Sequence, residues 1–161
     1  RRGVGGRPPD GPGRLVWSRG VLRGAGGGGQ MCSVTTNPAG ATGDGVAAAM
    51  RAGAVVEDME FFQFHPTALR HDLSPRPLLT EALRGHGAVL RNGSGDRFVD
   101  ELLPRDVVSR AILTAMATDG SDHVWLDARE LDSFGTRFPT IAEVLASVGL
   151  DPGLTTSVVG F

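Results

Sequence analysis

Apolar positions along the chain predict a mixed set of short elements rather than one repeated unit. Val107, Val108, Ala111, Ile112, Ala115 and Met116 recur at the spacing of one helix face, and Gly120 ends that run. A second helix is predicted from about Gly45 to Ala52, with Gly53 placed to stop it. A third begins at Pro139, a residue suited to the first helical position, and runs to about Val148 with Gly149 past its end. Thr80 to Arg84 fits a single helical turn stopped by Gly85. Glu60 to Phe64 (EFFQF) reads as a strand end, because Pro66 forces an extended His65 after it. His123 to Leu126 resembles a further strand. Ala88 to Leu90 and Arg97 to Val99 flank Asn92-Gly93-Ser94-Gly95, which is a hairpin signal. Residues 1 to 20 follow neither period and are predicted to be irregular or disordered. Strands and helices mix without regular βαβ alternation, so the expected class is α+β, joined to part of an α/β unit.

Composition changes this picture little. The chain has 161 residues, 40% of them apolar and 21% charged, enough for one domain or for pieces of two. Its 24 glycines weaken the case for a rigid core. A net charge of -2 with both signs interleaved argues against nucleic acid or an anionic membrane as the main partner. No apolar run has the length of a membrane span, and no apolar leader opens the chain. The single cysteine, Cys32, has no internal disulfide partner, which fits a reducing compartment.

Four segments could carry chemistry. Gly26, Gly27, Gly28 and Gly29 precede TTNPAGATGDG and a predicted helix. Glycines admit close backbone approach, and a helix start offers free N–H groups to an anion. A flexible linker explains the glycine run equally well, since no clear strand–GxGxxG–helix unit with a following acidic residue appears. Gln63-Phe64-His65-Pro66-Thr67 holds a histidine between an aromatic residue and a proline, either as an oriented donor or as a satisfied structural residue. Thr80-Glu81-Ala82-Leu83-Arg84-Gly85 places Glu81 and Arg84 as helical neighbours, forming either a weak surface pair or a buried relay of charges. Arg105 stands at the head of the long helix, where a cation opposes the dipole. It either points to solvent or joins the helix start in holding an anion. The scattered histidines and Cys32 form no metal-ligand spacing, and there is no GxSxG.

Taken together and in this order, TTNPAGATGDG, QFHPT, TEALRG and PRDVVSRAI resemble the fumarate reductase/succinate dehydrogenase/L-aspartate oxidase flavoprotein family. The resemblance covers roughly Val21 to Pro152, and FPTIAEVLASVGLDP and EALRG-GAVLR are most similar to its L-aspartate oxidase branch. It implies FAD as cofactor, with Gly26 to Gly29, Asn37, Thr42, Gly43 and Asp44 near it. It implies that His65 binds a substrate carboxylate, that Thr80 contacts the substrate, that Glu81 and Arg84 relay protons, and that Arg105 exchanges a proton with substrate carbon while hydride moves to or from the flavin. The implied domains are a partial FAD-binding domain at 21–58 and a substrate-capping domain at 59–161, incomplete at its end, after an irregular 1–20. The implied activity is oxidation of L-aspartate to iminoaspartate in the cytoplasm, on the route to quinolinate and NAD, with quinolinate synthase as candidate partner. The alternatives are the fumarate reductase or succinate dehydrogenase branch, or an inactive truncated product. The family's amino-terminal fingerprint, its later substrate-binding histidine and arginine, and its helical carboxy-terminal domain are not in the sequence, and both ends depart from the pattern. Where the family carries a glutamate in RGEG, this chain has His86, which would put a titratable ring near the relay.

Overall fold

A four-stranded antiparallel sheet, with one long helix against it, organises the middle and end of the chain. The computed structural model describes residues 2–6, 11–20, 22–151 and 156–159. Val21 and Pro152, the expected limits of the family resemblance, lie outside them. The sheet order is β3-β6-β5-β4, with β3 at Ala68–Leu69, β4 at Val89–Arg91, β5 at Val124–Asp127 and β6 at Thr156–Val159. Every neighbouring pair is antiparallel. An antiparallel sheet with its helices grouped outside it is the α+β arrangement expected from the pattern.

The helices follow local signals closely. Helix α1 (Asp44–Arg51) stops at Ala52, and Gly53 takes a φ of 83° just beyond it. Helix α2 (Glu81–Gly85) starts at Thr80, whose Oγ1 accepts the Ala82 amide. Helix α3 (Arg105–Asp119) ends on Gly120, at φ 61°. Its apolar stripe seats Val108 and Ile112 in the core, with Ala115 and Met116 packed at its margin. Helix α5 (Pro139–Ser147) opens on its proline, as expected. Helix α4 (Phe134–Arg137) carried no signal in the sequence. It buries Phe134, whose ring meets Phe138 at 5.5 Å between centroids. Leu69, Leu79, Leu83, Leu90, Val124, Leu126 and Leu145 complete the core with α3. Burying a side chain of this size stabilises by about 1.5–3 kcal/mol. Among the described residues no helix is long and apolar enough to cross a membrane.

Three expectations need correction. Residues 1 to 20 are not irregular throughout: β1 (Arg2–Gly6) and β2 (Arg14–Ser18) pair antiparallel, with Val4 opposite Val16. The run Leu15-Val16-Trp17 has strand propensity but is too short to show a period. Glu60 to Phe64 is loop rather than strand. Among the described residues no partner strand reaches it, and pairing starts at Ala68. The hairpin at 88–99 is half formed. Asn92 Oδ1 closes the turn by accepting the amides of Ser94 and Asp96 at 3.1 and 2.8 Å. Beyond it only Arg97 bridges back to Arg91, and β4 pairs with β5 instead.

Candidate active site

Backbone register brings the predicted site residues together. Thr67 Oγ1 donates to the Leu79 carbonyl at 2.8 Å, Leu79 N donates to the Thr67 carbonyl at 3.1 Å, and Ala68 bridges Leu78 antiparallel. His65 and Glu81 lie close enough for each to act on the other's charge. Pro66 and Thr67 are buried, so His65 leaves the core on a rigid stem and is itself half-buried.

Arg105, the first residue of α3, reaches back to α2. Its Nε donates to Glu81 Oε2 at 2.9 Å, and its Nη2 lies 2.8 Å from the same oxygen in an ion pair. Its Nη1 donates to Gln63 Oε1 at 3.3 Å. Arg84 Nη2 lies 4.0 Å from the other Glu81 oxygen. Within the pair, the Arg84 side chain has no exposed surface, while 44% of the Glu81 side chain is exposed. Only Nη1 of the Arg84 guanidinium is satisfied, donating to the Glu101 carbonyl at 2.6 Å. Among the described residues, Arg84 Nε, Arg84 Nη2 and Ser109 Oγ are the buried side-chain polar atoms without a partner. Leaving such groups unpaired is costly, and they mark places where a ligand or water completes a network.

The charges tune one another. The hydrogen bond from Arg105 holds the Glu81 carboxyl below the usual carboxylate range, so it stays anionic. Burial lowers the Arg84 pKa, and the nearby Arg105 charge adds to that. Burial, then the charges of Arg105 and Arg84, lowers the His65 pKa, so the ring is neutral at pH 7. Its Nδ1 accepts the Thr67 amide at 3.3 Å, which leaves the ring proton on Nε2, free to donate. Thr80 Oγ1 caps α2 by accepting from Ala82 N at 3.4 Å and keeps its own proton to donate. Phe62, Gln63, Phe64, Glu81, Arg105 and Ser109 all border one open cleft.

The candidate cofactor residues form a second patch. Gly43, at φ 76°, donates its amide to the Gly27 carbonyl at 3.2 Å, so the TGDG loop lies directly on the glycine run. At Gly29 a Cβ would sit 2.6 Å from Asn37 Cγ, so only glycine fits there. Gly26 and Gly27 are exposed, and a Cβ at either would meet nothing within 4 Å. Gly28 is half-buried, close to Gly43. Thr42 Oγ1 donates to Asp44 Oδ1 at 3.1 Å, and both residues are exposed at the start of α1. Open backbone beside a helix start and an exposed carboxylate suits the phosphates and hydroxyls of a dinucleotide. A small cavity bordered by Gly29 and Asn37 on one side and Phe64 and His65 on the other joins the two patches.

His86 does not join the relay. Its Nδ1 is 2.7 Å from the Ala82 carbonyl and its ring stands edge-on to Phe138, 5.4 Å between centroids. The charges acting on Arg84 come from Glu81, Arg105 and Glu101. Gln63 and Glu101 are the participants that sequence reasoning missed. Gln63 could have been found, because positions 63 and 65 of an extended segment share a face. Glu101 carried no local signal.

The chain is a piece of a flavoprotein. It belongs to the FAD binding domain family, whose model matches residues 5–156, and the cofactor of that family is FAD. It is similar to the L-aspartate oxidase of a Nostoc species, 48% identical over 153 residues, covering 86% of this chain and 26% of the relative. It is also similar to the L-aspartate oxidase of Streptomyces coelicolor, 47% identical over 143 residues, covering 82% of this chain and 25% of the relative. Among solved structures, a quinol-fumarate reductase with menaquinol molecules matches with a TM-score of 0.74 at 33% identity, over 84% of this chain and 28% of that one. The chain thus spans about a quarter of the length of the curated relatives it matches.

Proposed function

We propose that this chain is the substrate-handling part of an FAD-dependent L-aspartate oxidase, which converts L-aspartate to iminoaspartate. Residues 59–161 cap the substrate, and residues 21–58 contribute part of the flavin site. The observation that carries the reading is the Arg105–Glu81–Arg84 series with half-buried His65 within reach of its charges.

His65 Nε2 and the Thr80 hydroxyl donate to one carboxylate of the substrate. Arg105 takes the proton that the substrate gives up as hydride leaves its carbon. A guanidinium is normally fully protonated, so Arg105 acts as a base only when Glu81 and Arg84 have carried its own proton away. The depressed basicity of buried Arg84 supports that traffic. FAD, when bound, would supply the hydride acceptor, and the glycine run, Asn37, Thr42, Gly43 and Asp44 would hold it. Quinolinate synthase, as consumer of iminoaspartate, is the proposed partner, and the cytoplasm the proposed compartment. The similarity to a quinol-fumarate reductase favours one second reading, in which the same residues handle a C4 dicarboxylate without the amine.

A chimera tests both. Residues 22–151 of this chain would replace the matching segment of the Nostoc relative. Anaerobic flavin bleaching on adding L-aspartate is expected. Bleaching by succinate alone would favour the second reading, and no bleaching by either substrate would sink both.

A further inference from the structure

We infer that Glu101 is a positioning residue for the relay: it fixes the buried Arg84 guanidinium from behind, so that its free Nη2 faces Glu81. Glu101 is 4% exposed although it is acidic and lies in a loop. A buried carboxylate is tolerated only where several donors satisfy it. Here Oε1 accepts the Leu90 amide of β4 at 2.8 Å and Arg97 Nε at 3.2 Å. Oε2 accepts Arg97 Nε at 3.0 Å and Nη2 at 2.5 Å. The side chain is thereby clamped to the sheet edge, and the clamp holds its own main chain in place. The carbonyl of that same residue takes Arg84 Nη1 at 2.6 Å, the one hydrogen bond that the Arg84 guanidinium makes. Side chain and carbonyl of a single residue therefore tie β4, α2 and the loop before α3 together, three residues ahead of Pro104. The Glu101 carboxylate also supports the charge on Arg84, against the effect of Arg105. The other titratable groups around Arg84 are Glu81 on its own helix, Arg105 on α3 and His65 on the loop before β3. Glu101 is not among the residues that border the cleft with Glu81 and Arg105.

The inference rests on the relay reading, but its first test does not need flavin or turnover. Nitrogen-resolved NMR of arginine side chains in the full 161-residue chain would follow hydrogen exchange at Arg84 Nη1. Losing the charge-assisted clamp in Glu101→Ala should speed that exchange by about tenfold or more, with circular dichroism unchanged. Glu101→Gln keeps the Leu90 contact and guards against an unfolded alanine variant. It should speed exchange by about threefold, as the ion pair with Arg97 is lost. Exchange at the wild-type rate in a folded Glu101→Gln chain overturns the inference. In the chimera, Glu101→Gln should lower kcat by about tenfold and leave KM for L-aspartate unchanged, because Arg84 does not hold substrate. A rise in KM with kcat intact would also overturn it. A parent chimera that never oxidises L-aspartate sinks the proposed function while leaving the exchange result standing.

Discussion

Arg105 turns two of its nitrogens onto a single oxygen of Glu81, at 2.9 and 2.8 Å, and keeps Nη1 for the cleft side, where Gln63 meets it. A planar fork is what makes this division possible, because three donors on one rigid plane serve two directions at once. Lysine keeps the charge but offers neither the plane nor the reach. In the chimera, Arg105→Lys should therefore lower L-aspartate-dependent flavin reduction by about a hundredfold or more. Arg70→Lys is the control. Arg70 pairs with exposed Asp122 at 2.7 Å, away from the cleft, and its replacement should change the rate by less than about threefold. Equal losses in the two variants would remove Arg105 from the proton-transfer role.

The cofactor patch leads to a second expectation. Gly26, Gly27, Thr42 and Asp44 offer exposed backbone and polar groups, and Gly24-Ala25-Gly26-Gly27-Gly28-Gly29 is followed by a single 3-10 turn, Gly29–Met31, rather than by the long helix that cradles a pyrophosphate in a strand–GxGxxG–helix unit. The isolated chain should take up FAD only weakly. After incubation with excess FAD and desalting, its visible spectrum should show no stoichiometric flavin band. A retained equimolar band would mean that this patch holds the cofactor unaided.

Local signals explain what the sequence made legible. Helices α1, α3 and α5 have their starts and stops written beside them, in Gly53, Gly120 and Pro139, so reading them needed no tertiary knowledge. Strand β6 is the opposite case. Four residues, Thr156–Val159, lie between β3 and β5, and their place depends on partners far away in the chain. The site shows the same division. Short motifs single out His65, Thr80, Glu81, Arg84 and Arg105, but contacts such as the Ala68–Leu78 bridge and the Arg105–Glu81 hydrogen bond depend on distant partners that no motif records. Glu101 escaped notice because its role is to be buried, and acidic loop residues are usually exposed.

His86 supplies a prediction that reverses the one its sequence position invites. A histidine two residues beyond Arg84 should tune the relay at acid pH, and glutamate there should raise turnover. The ring instead closes the end of α2 through the Ala82 carbonyl and packs on Phe138. In the chimera, His86→Glu should give a pH–rate profile between about pH 5 and 9 that superimposes on that of its parent, over a range bracketing a histidine titration. The same change should destabilise the chain by about 0.5–1 kcal/mol through loss of the cap and the ring contact, read by urea unfolding. Higher turnover confined to acidic pH would restore His86 to the relay.

The last prediction concerns the acid side of the stability profile. His65 has its pKa lowered in the folded chain, first by burial and then by Arg105 and Arg84. The fold therefore favours the neutral ring, and the unfolded chain binds a proton more readily. The sign follows from linkage: stability from this group is fully present above the unfolded value of about 6.5 and is lost as pH falls through the lower folded value. Two carboxylates act in the same direction at lower pH. The Glu81 carboxyl is depressed by Arg105, and the Asp122 carboxyl is held down to about 2 by Arg70 and His123. Their contributions are present above the ordinary carboxylate values and fade below them, so they leave the window between pH 7 and 5 to His65. Asparagine at position 65 can still accept the Thr67 amide through its side-chain oxygen, but it does not titrate. Urea unfolding of the chain should then show stability falling from pH 7 to 5 in the wild type and a visibly flatter line in His65→Asn. Parallel lines in that window would show that the His65 ring is as easily protonated in the folded chain as in the unfolded one, and the neutral donor assigned to it would be wrong.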